Sequence, residues 1–128
     1  MNTPKLTLAL LVSATLAACS ASATRPAAPA MASGGLLTGS NGMTLYTFDK
    51  DGAGSGKSVC NGPCATNWPP LVAAADAKDM GDYTVVTRDD GSKQVAYKGK
   101  PLYFWAKDAK PGDKTGDGFN SVWHTAKP

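Results

Sequence analysis

A ten-residue pattern occurs twice in this chain, and the recurrence restricts it to a fold of two related halves. Gly42-Met43-Thr44-Leu45-Tyr46-Thr47-Phe48-Asp49-Lys50-Asp51 is echoed by Gly99-Lys100-Pro101-Leu102-Tyr103-Phe104-Trp105-Ala106-Lys107-Asp108 at a constant offset of 57 residues. Gly, Leu, Tyr, an aromatic two positions on, Lys and Asp all fall in register. A Gly-rich loop with a lysine follows each copy, at Lys57 and Lys114, and each half then reaches a tryptophan, Trp68 or Trp123. Matches of this number without a gap mark an internal duplication.

Each copy reads as a strand ending in a turn. Period-two geometry sets Leu45 and Thr47 on one face and Tyr46 and Phe48 on the other, and it sets Tyr103 beside Trp105. The Asp that closes each motif begins a Gly-rich stretch, where its carboxylate can accept backbone N–H groups of the turn. Further strands are predicted over 83–87 and 94–98, joined through the hairpin signal Asp90-Gly91, with a closing strand over 121–125. The best helix candidate is 73–80, stopped by Gly81. All ten acidic residues are Asp, which suits turns more than helices. The expected class is mainly β: a small domain of two related β-rich repeats with short hairpins, Gly-rich loops and little helix.

The N-terminus carries a different signal. Lys5 precedes an apolar run over 6–18 that ends Leu16-Ala17-Ala18-Cys19. Charged start, apolar core and small residues before a cut are the layout of a secretory signal peptide. Spanning a bilayer takes roughly 20 residues, so the run is too short for a transmembrane anchor. Leu-Ala-Ala-Cys resembles the lipobox of bacterial lipoproteins. That resemblance implies cleavage of a signal peptide over 1–18, acylation of Cys19 with chains such as palmitate, and a protein held on the cell envelope through its lipid. Ser20 follows the cysteine where an Asp would favour inner-membrane retention. In a double-membraned organism the resemblance therefore points to the outer membrane, facing periplasm or surface. Residues 19–35 are small, Pro-containing and nearly uncharged, and read as a flexible tether. The domain is expected over 36–128, with repeat motifs near 42–68 and 99–123. The formal charge of +3 falls by the one unit of Lys5 on cleavage, too little surplus to argue for nucleic acid.

The repeated Tyr-x-aromatic-x-x-Asp, seen as Tyr46/Phe48/Asp51 and Tyr103/Trp105/Asp108, resembles the secreted-repeat lipoprotein family named for that motif. The run Cys60-x-x-x-Cys64-Ala65-x-x-Trp68-Pro69-Pro70, with Pro111-Gly112-Asp113 and Trp123, resembles it too, and the likeness covers nearly all of 36–125. The family's molecular role is largely unassigned, so the resemblance implies location and architecture and supplies no reaction.

Residues with chemical potential are few. Cys60 and Cys64 flank Asn61-Gly62-Pro63 and read as a disulfide in an oxidising compartment. The alternative is a thiol-redox pair or a Cu(I) site completed by His124, the single histidine. Gly52-Ala53-Gly54-Ser55-Gly56-Lys57-Ser58 is not a nucleotide-binding loop, because Asp51 stands where that motif needs Gly. Asp49-Lys50-Asp51-Gly52 and the Asp113–Gly118 stretch lack the closing Glu of a Ca²⁺ loop and read as turn caps. One histidine without a supporting motif makes no catalytic triad. The aromatics Tyr46, Phe48, Trp68, Tyr103, Phe104, Trp105, Phe119 and Trp123 are numerous for the size of the domain. Most are expected in the core, and a groove between the halves is the place for a small apolar ligand or an envelope partner. The function these residues suggest is a lipid-anchored, non-enzymatic binding or interaction module without a cofactor. The alternative is a copper or thiol-redox protein.

Overall fold

The computed structural model describes residues 28–128 together with Met1, Asn2 and Pro4. The apolar run of the leader, Cys19 and the tether up to residue 27 lie outside the described residues. The elements are β1 (Met31–Ser33), β2 (Leu36–Thr38), β3 (Tyr46–Phe48), α1 (Pro63–Asn67), β4 (Tyr83–Thr87), β5 (Lys93–Tyr97), β6 (Lys100–Pro101) and β7 (Trp123–Thr125). Pairing is antiparallel throughout: β1 with β2, β3 with β7, and β4-β5-β6 in that order. The mainly β class with little helix is as the alternation and the turn residues predict.

The two repeats are interlaced rather than laid side by side. β3 of the first repeat pairs with β7 of the second, with Phe48 opposite Trp123 and Tyr46 opposite Thr125. The second repeat returns the arrangement: Leu71 N donates to Leu102 O at 2.9 Å and Ala106 N to Asn67 O at 2.9 Å. The matching bonds in the first pairing are Ala126 N to Leu45 O at 2.8 Å and Asp49 N to Val122 O at 2.8 Å. At the junction Tyr46 N donates to Tyr103 O at 2.8 Å and Tyr103 N to Tyr46 O at 3.0 Å. A pseudo-twofold axis therefore passes between the two motif tyrosines.

Strand alternation divides the interior in two. Leu45 and Leu102 join Ala30, Leu37, Val95 and Ala126 in an aliphatic cluster. Their neighbours Tyr46 and Tyr103 join Cys60, Trp68, Trp105 and Trp123 in an aromatic one. Four rings of the second cluster lie in one stack. Trp105 lies on Trp68 at 3.9 Å, Trp68 on Trp123 at 3.8 Å, and Trp123 on Phe48 at 4.2 Å between centroids. Exchanging the repeats maps Phe48 onto Trp105 and Trp68 onto Trp123, so the stack reads the same from either end. Tyr46 meets Trp68 edge-on at 5.3 Å and Tyr103 meets Trp123 edge-on at 5.1 Å, again by symmetry. The stack lies between the halves, and most of these aromatics are core, as their number in so small a domain predicts. Phe119 is the ring at its border, 38% exposed and tilted against Trp68 and Trp105.

Two expectations change. The fold begins before Leu36: Met31–Ser33 pairs with Leu36–Thr38, and Ala30 is already buried. Gly34-Gly35, at φ 59° and 80°, is a two-residue hairpin turn that composition alone reads as linker. No helix forms over 73–80. Ala73 N donates to Lys93 O at 2.9 Å and Val95 N to Leu71 O at 2.9 Å, so that segment starts as an extended partner of β5. An isolated eight-residue helix has too few turns to compete with such pairing. The helix that does form, α1, follows Gly62 and starts on Pro63, whose fixed φ and missing N–H suit a first helical turn.

Gly116 lies flat against the stack: a Cβ there would approach Trp68 to 2.6 Å and Trp105 to 3.0 Å. Both rings are held on their other faces or edges and have little room to yield. Gly116→Ala is expected to lower stability by about 1–3 kcal/mol, read as the shift of a urea unfolding curve followed by tryptophan emission.

Candidate functional site

The repeated motif assembles into two buried Tyr–Asp pairs, and each pair joins the halves. Tyr46 Oη donates to Asp108 Oδ2 at 2.6 Å, and Tyr103 Oη donates to Asp51 Oδ2 in a very short bond. The tyrosine of each repeat is thus satisfied by the aspartate of the other. Both tyrosines are fully buried, and Asp51 and Asp108 are 6% and 9% exposed. The second oxygen of each carboxylate closes its own Gly-rich loop. Asp51 Oδ1 accepts from Val59 N at 2.7 Å, and Asp108 Oδ1 accepts from Thr115 N at 3.1 Å and Thr115 Oγ1 at 2.7 Å. The turn role predicted for these aspartates is the one they hold, and the cross-repeat bond is added to it. Asp113 and Asp117 act likewise, accepting from Ala109 N and from Thr125 N at 2.9 and 3.0 Å.

On the first-repeat side the pair continues into a polar chain. Ser58 Oγ lies 2.6 Å from Tyr103 Oη and accepts from Arg88 Nη1 at 3.0 Å and from Cys60 N at 3.2 Å. Since the Tyr103 hydrogen goes to Asp51, the Ser58 hydrogen goes to Tyr103. The bonds therefore run in one direction, from Arg88 through Ser58 and Tyr103 to Asp51. Arg88 is 5% exposed and also donates to Gln94 Oε1 at 2.7 Å and to Cys60 O at 2.5 Å. A buried guanidinium and a buried carboxylate are balanced here through two hydroxyls rather than in direct contact.

Burial pushes the Asp51 carboxyl above the ordinary carboxylate range, against the lowering pull of Tyr103, Val59 N and Arg88. Burial first, and then the bond to a carboxylate, push the hydroxyls of Tyr46 and Tyr103 far above a free phenol. Tyr46 and Tyr103 are fully buried and the two aspartates nearly so, and the arrangement holds the halves together.

Cys60 and Cys64 form a disulfide, with Cys60 fully buried against the aromatic cluster. Loop closure on this scale stabilises by roughly 2 kcal/mol. His124 lies on β7 and its Nε2 meets Asp49 Oδ2 at 2.7 Å on the surface. The set Cys60, Cys64 and His124 drawn for Cu(I) is not assembled here. Both sulfurs are bonded to each other, and the described residues contain no group of three or more His, Cys, Asp or Glu that could hold an ion. Phe48 and Trp105 form the ends of the aromatic stack, and Cys19 lies outside the described residues. Arg88, Ser58 and Gln94 escape sequence reading. Arg88 sits in a hairpin loop where arginine is ordinarily solvated, whereas Ser58 carries a faint signal as the counterpart of Thr115 at the repeat offset.

With this architecture in view, the chain belongs to a family described as a secreted repeat of unknown function. The family pattern matches twice, over residues 30–72 and 84–127. The first match begins at the buried Ala30, in agreement with the early start of the fold. A secreted family agrees with an envelope or extracellular location. No curated protein and no solved structure is similar enough to match the chain.

Two outcomes follow from the paired tyrosines. A phenol whose proton is held more tightly in the folded state contributes stability that is complete below about pH 10 and is lost as pH rises further. The urea midpoint should therefore fall between pH 9 and pH 11, and the fall should be smaller in Tyr46→Phe/Tyr103→Phe. At neutral pH Tyr103→Phe alone strands Asp51 and should lower stability by roughly 1–3 kcal/mol. Adding Asp51→Asn, which removes the stranded charge, should recover part of that loss.

Proposed function

We propose that this protein is a lipid-anchored module of the bacterial envelope that binds a partner on its surface and catalyses no reaction. One observation carries the reading: the motif side chains with most chemistry, Tyr46, Asp51, Tyr103 and Asp108, are buried and bonded across the repeats. The disulfide closes the two thiols in the same way. What is left to act is the outer surface of a cross-linked scaffold. The partner is an envelope protein or a small ligand, with no part for nucleic acid, nucleotide or cofactor. The anchor is Cys19, acylated after removal of residues 1–18, and the outer membrane is its site in a double-membraned organism.

Growth with an alkyne analogue of palmitate tests the anchor. The protein should carry the label and sediment with membranes, and Cys19→Ser should abolish both. Label retained on Cys19→Ser would overturn the assignment. Alkylation of thiols before lysis, followed by intact mass, tests the scaffold: Cys60 and Cys64 should take no label. Two labels in protein from cells would favour the copper or thiol-redox alternative instead.

A further inference from the structure

A surface groove of about 330 Å³ lies where β3 and β7 meet the β5–β6 turn, and its chemistry differs from that of the interior. Lys98, Lys100 and Lys127 line it together with His124. Like charges gathered in one concavity raise the local potential for an anion. None of the three lysines has a carboxylate partner: among the described residues the ion pair present is His124 with Asp49. That pair occupies the one acid lining the groove.

The backbone supplies a second, independent observation. Lys98 has φ 48° in the two-residue turn Lys98-Gly99 between β5 and β6. Left-handed geometry disfavours a residue with a long side chain, and Asn or Gly is the usual occupant of such a position. Gly99 is required beside it, because a Cβ there would approach Gly54 N to 2.7 Å. No such packing requirement selects a lysine at position 98, which is exposed and extends its Nζ over the Tyr97 ring at 5.2 Å. A disfavoured backbone that carries a cation to the mouth of a basic groove is better matched to a ligand than to the fold.

We infer that this groove is a binding site for a phosphate group, held by Lys98, Lys100 and Lys127. The inference gives the binding-module reading a ligand class and rests on that reading. The phosphate belongs either to a soluble phosphate ester or to an anionic lipid headgroup. The groove adjoins β2, since Ala126 O in its wall accepts from Leu37 N at 2.9 Å.

The single histidine makes the test local. Full-length Cys19→Ser protein is titrated with glycerol phosphate at constant ionic strength while the His124 ring protons are followed by NMR. A saturable shift is expected, with chloride giving none. Lys98→Asn, Lys100→Gln and Lys127→Gln should each weaken binding about fivefold. Lys98→Asn should at the same time leave the melting temperature unchanged or raised, because asparagine accepts the left-handed turn; this separates ligand binding from folding. Sedimentation with phosphatidylglycerol vesicles, against phosphatidylcholine vesicles, then distinguishes the sources. Lysine-dependent sedimentation assigns the headgroup, and a saturable shift without sedimentation assigns the soluble ester. An absent or non-saturable shift without sedimentation overturns the site, as does binding indifferent to all three substitutions. Either failure leaves the Cys19 anchor standing, because the palmitate label reports on it separately.

Discussion

The exchanged bonds between motif tyrosines and motif aspartates are the constraint on which the remaining structure depends. Each tyrosine is fully buried and brings a hydroxyl that must find an acceptor away from water. Each aspartate is nearly buried and must find donors on both oxygens. Placing the partner in the other repeat answers both needs only when the halves are docked. The interior of either half is consequently incomplete alone, and the Tyr46–Tyr103 backbone pair sits at the centre of that dependence.

The aromatic stack is the apolar counterpart of the same arrangement. Two rings come from each repeat and alternate along the stack, Trp105, Trp68, Trp123, Phe48. Rings of this size contribute much of the buried area in a small domain. Their alternation ties that area to the docking of the halves rather than to either one. Symmetry is broken at the polar pairs. The first-repeat pair is extended by Ser58 and Arg88 into the disulfide loop, whereas the second-repeat pair ends on Thr115 and Gly116. The cation and the cross-link therefore fall on the same side of the axis.

Much of this organisation is legible in the residues because duplication and alternation are local patterns. The offset of 57 and the opposite facing of Leu45 and Tyr46 follow from positions in the chain, and the strand over 83–87 follows from its β-branched run and its hairpin turn. Partner choice is not local. Nothing in the motif says that Asp51 serves Tyr103 rather than Tyr46, since four intervening positions permit either until the halves are placed. Arg88 is hidden for the same reason: its burial is created by the first-repeat loop folding over it. The helix expected over 73–80 fails because alanine content measures intrinsic preference, while β5 offers the backbone of Leu71 and Ala73 real partners. Met31–Ser33 was concealed by Gly34-Gly35, a pair that serves equally as linker and as hairpin turn.

Interlacing has a consequence for the order in which the parts of an exported chain can become native. The first repeat leaves the translocation machinery before the second, with its tyrosine lacking an acceptor and its strand lacking an edge. Closing the two pairs joins positions 52 and 62 residues apart, contacts of the kind that form late in folding. The Cys60–Cys64 ring spans a separation of only 4 and needs nothing from downstream. It is the one part of the aromatic core that can be made permanent while the rest of the chain is still arriving.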